Sequence, residues 1–97
     1  MPKVNYIRKD NSFYEAILRL ESVEEAIGFF DDVCSPTELA SIEQRFEVAR
    51  ELYRGEVYKK IAEQTGASSA TIMRVNRVYR GGNGCLAAAI DKIKSEE

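Results

Sequence analysis

Apolar residues recur along this chain at three- and four-residue spacing, and no stretch alternates apolar and polar positions long enough to make a strand. The pattern predicts an all-α fold. Phe13, Ile17 and Leu20 place a first helix over about residues 12–20. Ser22 with Glu25 three positions on has the form of a capping box, and Val23, Ala26, Ile27, Phe30 and Val33 make the stripe of a second helix, expected to be buried. Phe29 widens that stripe. Adjacent phenylalanines crowd the core of one small monomer, so residues 12–33 are expected to supply dimerisation helices; the alternative is a broad monomer core.

The segment SPTELASIEQRFEVARELYRG carries clear helix boundaries. Ser35 is placed to cap, Pro36 sits where its missing N–H costs nothing, and Glu38 completes a second capping box. Leu39, Ile42, Phe46, Ala49, Leu52 and Tyr53 form the apolar face of a long central helix over 35–54, and Gly55 stops it. Arg45 and Arg50 have the ordinary reading of solvated partners for Glu38, Glu43 and Glu47.

From Tyr58 the spacing changes to that of a helix-turn-helix over 58–80. Ile61 faces the core, Ala62 is small where a second helix crosses, Gly66 supplies the turn, and Ile72 and Val75 anchor the second helix, with Val78 and Tyr79 continuing its stripe. Gly81 and Gly82 end it. A last helix is expected over 84–95. That makes about six helices in a single domain, 1–97.

Charge changes the picture at this segment. The chain is acidic, with net charge −2, yet residues 58–80 hold 5 basic and 1 acidic residue against 7 and 12 over residues 1–57. A basic face on an acidic body suits phosphate contact, because only the docking surface has to displace counterions. With the anchors buried, Ser68, Ser69, Ala70, Thr71, Met73, Arg74 and Arg77 line the start and outer face of the second helix, the end that meets base edges in the major groove. Lys59 and Lys60 belong to the first helix, which crosses the backbone, and are assigned to phosphates. The plainer reading leaves the lysines solvated and Ser68 as a helix cap.

The remaining composition excludes more than it suggests. There is no histidine, and Cys34 and Cys85 lie far apart, so neither a metal site nor a disulfide is expected, and the commonest general base is missing. No enzyme activity and no cofactor are expected. No apolar run approaches the roughly 20 residues needed to span a bilayer, and MPKVNYIRKDN has no signal-peptide character, so no membrane contact and a cytoplasmic location are the expectation.

The segment SPTELASIEQRFEVARELYRGEVYKKIAEQTGASSATIMRVNR resembles the Trp repressor superfamily, and FFDDVCSPTELASIEQRFEVARELYRG with TGASSATIMRVNR resembles its YerC/YecD-type branch more closely. The likeness covers roughly residues 13–93. It implies a TrpR-like intertwined homodimer whose paired helix-turn-helix units enter successive major grooves. It also implies an effector pocket, since Arg45 and Arg74 match the two arginines that sandwich the tryptophan corepressor, and Ser35 matches a threonine. Val75 stands in place of a glycine and Val78 in place of a serine. Valine at 75 takes up room that glycine leaves for a flat ring, so L-tryptophan is not the expected effector; a different small molecule at Arg45 and Arg74 stays open. The expected function is a sequence-specific double-stranded DNA-binding transcriptional regulator, a repressor by resemblance. The alternative is a dimeric helical module that binds a protein partner and whose basic face is incidental.

Overall fold

A computed structural model of the chain describes residues 5–94, and among these every regular element is helical. The order is α1 (Ser12–Leu18), α2 (Val23–Val33), α3 (Pro36–Tyr53), α4 (Tyr58–Thr65), α5 (Ser69–Gly81) and α6 (Cys85–Lys94). The chain falls into two compact units, Met1–Ser35 and Pro36–Glu97.

In the first unit, α1 is shorter than its apolar spacing predicts. The N–H groups of Arg19 and Leu20 donate to the carbonyls of Ala16 and Ile17, three residues back, so the last turn tightens and the helix ends at Leu18. Ser22 then caps α2 as expected, its Oγ accepting the Glu25 N–H at 3.0 Å. Phe29 and Phe30 both lie against Phe13, with ring centroids 5.8 and 6.4 Å from it and 5.3 Å from each other. One side of α2 therefore accommodates both rings. The expected buried stripe is not buried, however: Val23, Ile27 and Val33 are exposed, Ile27 at 53%, because among the described residues of this unit no apolar surface closes over them.

In the second unit, α3 packs against α4, α5 and α6. The core consists of Val48, Ala49, Ile61, Ala67, Ile72, Val75 and Ile90. Ile61, Ile72 and Val75 take the anchoring places their spacing predicts, and Ala49 its place on α3. Ile42 and Val78 do not join them. Both are exposed, Val78 at 54%, and the stripe of α5 closes at Val75 and continues only through half-buried Tyr79. Two glycines answer specific backbone demands. Gly66 ends α4 in the left-handed region at φ +74, where a side chain is strained. Gly82 follows α5, and a Cβ there would stand 2.5 Å from the Val78 carbonyl oxygen. The last helix ends at Lys94; residue 95, where the spacing takes it, lies outside the described residues.

Candidate nucleic-acid interface

The turn between α4 and α5 is closed by its own residues. Thr65 Oγ1 donates to the Ile61 carbonyl at 2.7 Å and accepts the Ala67 N–H at 3.2 Å, while the Gly66 N–H reaches the Ala62 carbonyl at 2.9 Å. Gln44 of α3 adds an outside strut, its Nε2 donating to the Thr65 carbonyl at 3.1 Å. Ala67 points inward and is nearly fully buried between the turn glycine and the next cap. The Ile61, Ala62 and Thr65 carbonyls and the Gly66 and Ala67 N–H groups thereby all have partners at the turn.

Ser68 caps α5, its Oγ accepting the Thr71 N–H at 3.2 Å. The same hydroxyl donates to Thr71 Oγ1 at 3.1 Å. That bond makes Thr71 Oγ1 an acceptor internally and leaves its own proton to donate outward. Ser69, Ala70, Met73, Arg74 and Arg77 are exposed, and Thr71 is half-buried, so the residues named from the sequence do share the start and outer face of α5. Lys59 and Lys60 are exposed in the first turn of α4. Among the described residues, none of Lys59, Lys60, Arg74, Arg77 and Arg80 is engaged in an ion pair. The arginines of α3 behave differently: Arg50 pairs with Glu47 at 2.9 Å and Arg54 with Glu51 at 2.7 Å. Here the ordinary helix-surface reading holds for Arg50, while the cations of α4 and α5 remain available to an external anion.

Arg45 and Arg74 come together at a cavity of about 300 Å³ whose other walls are Ile42, Phe46, Val75, Val78 and Leu86. Four of the five residues named for an effector pocket, Arg45, Arg74, Val75 and Val78, line it. Ser35, the fifth, belongs to the other unit, as an exposed residue at its end. Val75 is nearly buried and faces the cavity as part of its wall, whereas Val78 meets it from the exposed side. Exposed Ile42 gains a role here that its place in the α3 stripe did not suggest. A second groove, of about 840 Å³, runs beside Glu43, Glu47 and Glu51 of α3 and Gln64 and Thr65 of α4, and its carboxylates set it apart from any phosphate-binding face.

Two features have no signature in the sequence. Tyr53 Oη donates to the Asp91 carboxylate, tying α3 to α6, and Asn76 bridges Tyr58 and Arg80. Polar pairs of this kind, separated by 18 or 38 residues, leave no periodic trace. No group of metal-binding side chains occurs among the described residues, and no helix among them is long and apolar enough to cross a membrane.

This arrangement has close relatives. Residues 9–94 match the Trp repressor protein family. The YerC protein of Bacillus subtilis (strain 168) is 45% identical over 87 residues, which make up 90% of this chain and 84% of the relative. The crystal structure of a TrpR-like protein from Eubacterium eligens ATCC 27750 superposes with a TM-score of 0.83 at 44% identity, covering 87% of each chain. A candidate Trp repressor from Staphylococcus aureus gives a TM-score of 0.83 at 39% identity, covering 87% of this chain and 84% of that one. With its family, relatives and fold in agreement, this chain belongs to the Trp repressor superfamily and is of the YerC type.

Proposed function

We propose that this protein is a sequence-specific regulator of transcription, a repressor, which reads the major groove of double-stranded DNA as a homodimer and does not depend on L-tryptophan. In this reading the whole chain works as one TrpR-like domain, with the 12–33 helices serving the dimer. The observation that carries it is the outer face of α4 and α5. Small and hydroxyl side chains open α5, and among the described residues Lys59, Lys60, Arg74, Arg77 and Arg80 of α4 and α5 have no internal counter-charge. Ser69, Ala70, Thr71 and Met73 are placed for base edges; Arg74 and Arg77 flank them; Lys59 and Lys60 meet the backbone.

The cavity beside α5 supports regulation by a small molecule. Its apolar walls and two guanidinium groups suit a compact ligand with an anionic end. Val75 narrows the place where a flat indole would slide along α5, which is the physical ground for setting L-tryptophan aside. Saturable binding of tryptophan in calorimetry, with tighter DNA binding as its result, overturns this part of the reading.

The DNA reading is tested by titrating the protein with genomic fragments over a range of salt. Affinity is expected to fall linearly on a logarithmic scale, and the triple variant Lys59→Ala, Lys60→Ala, Arg77→Ala to lower the slope by about 0.9 for each phosphate it no longer neutralises. If no fragment is retained even at low salt, the reading fails and a protein-binding module takes its place.

A further inference from the structure

The core side of the α4–α5 pair is apolar, but its solvent side carries a polar chain. Asn76 Nδ2 donates to Tyr58 Oη at 2.9 Å, and Arg80 Nε donates to Asn76 Oδ1 at 3.0 Å. The two bonds demand one orientation of the amide. Turned over, it would present N–H groups to the Arg80 N–H, donor against donor. Arg80 thus dictates that the amide nitrogen, not the oxygen, faces the phenol. Tyr58 Oη accepts, and its own proton is left to donate outward. The terminal nitrogens of Arg80 are likewise uncommitted, and no carboxylate pairs with them among the described residues. Both side chains are exposed.

We propose that Tyr58 and Arg80, set by Asn76, form a preassembled clamp for a backbone phosphate of DNA. The inference rests on the DNA-binding reading above and extends it to three residues that the helix-turn-helix pattern does not mark. The site offers outward donors around a fixed positive charge, which selects an anion with several acceptor oxygens. Its position selects backbone over base. Tyr58 opens the helix that crosses the backbone, beside Lys59, and Arg80 lies nine residues beyond Thr71, about 13 Å along α5 from the end that meets base edges. Tyr58 and Arg80 touch the phosphate; Asn76 is a positioning residue. The clamp adds affinity on any sequence.

The test uses the intact protein and a mixed-sequence duplex, titrated at several salt concentrations. Arg80→Ala is expected to lower the salt slope by about 0.9 for the one phosphate it leaves unneutralised, and Arg80→Lys to restore the slope but not the full affinity. Tyr58→Phe is expected to weaken binding by about tenfold with the slope unchanged, since a neutral donor displaces no counterion. Asn76→Ala should weaken binding although it removes no group that touches DNA. Tyr58→Phe keeps the ring, so its fold is checked by unchanged helical content and melting temperature. If Tyr58→Phe and Asn76→Ala bind as the wild type does while Lys59→Ala weakens binding, the clamp is overturned and the DNA reading stands. Failure of the wild-type protein to bind the duplex at low salt overturns both.

Discussion

The two compact units of this chain carry similar apolar patterning with opposite results. In Pro36–Glu97, four helices close over Val48, Ala49 and Ile61, which are fully buried. In Met1–Ser35, α1 and α2 bury no residue at all, and Leu18, Val23, Ile27 and Val33 remain exposed. A stripe on one helix is half of an interface. Where α3 has α5 and α6 to meet, the stripe becomes a core; α2 gains only the ring cluster around Phe13. Helices of 7 and 11 residues are marginal alone in water, so an unpaired apolar face on α1 and α2 calls for a second surface. The proposed homodimer supplies one: the same face of another copy.

The largest expected effect lies in the closed unit. Ile61→Ala removes a fully buried side chain from the centre of the helix-turn-helix and is expected to cost about 2–5 kcal/mol, measured by urea denaturation. Set against a total stability of about 5–15 kcal/mol, that loss threatens the fold. Phe13→Ala removes a larger side chain but a half-exposed one, and should cost less in dilute solution. An equal loss at high dilution would show that the two units are equally closed, and the contrast would fail.

The next effect is on assembly. Ile27→Lys places a charge on the exposed face of α2 and leaves every core residue of the second unit unchanged. Sedimentation is expected to show a dimer becoming a monomer. The wild-type melting temperature should rise with protein concentration, and that of the variant should stay flat. A wild-type chain that sediments as a monomer at every concentration removes the proposed partner for α2.

Much of the second unit was legible because its constraints are local. Gly66 at positive φ, Ser68 three residues before the Thr71 amide it caps, and Ile61, Ile72 and Val75 at their anchoring spacings are each set by neighbours in the chain. Val48 was hidden, since it adjoins Ala49 and falls outside the stripe drawn through Phe46, Ala49 and Leu52. Ile90 becomes core only when α6 returns to α3. Val78 reads as core from periodicity alone, yet it is exposed beside the cavity, because burial also needs a facing element. The basic residues of the candidate interface were visible as a run of charge. Their lack of ion pairs among the described residues was not, and neither was the amide that orders Tyr58 and Arg80.

The smallest effect sharpens how the closed unit is held. Tyr53 donates its phenol proton to Asp91, and that hydrogen bond, followed by desolvation and the nearby negative charge, raises the Tyr53 pKa above the ordinary value near 10. The fold thus favours the protonated phenol. Its contribution is fully present below about pH 10, where the unfolded chain also keeps the proton, and is lost as the pH climbs through the folded value. Tyr53→Phe keeps the ring packing against Tyr79 and the position of Lys94 over the ring, and removes only the tie to Asp91. The variant should therefore melt slightly below the wild type at neutral pH, with the gap small because the bond is exposed to water. Above about pH 10 the two melting curves should converge. A gap that stays constant through this range would mean that the hydroxyl acts by packing and not by its proton, and the α3–α6 tie would then be no part of what closes this unit.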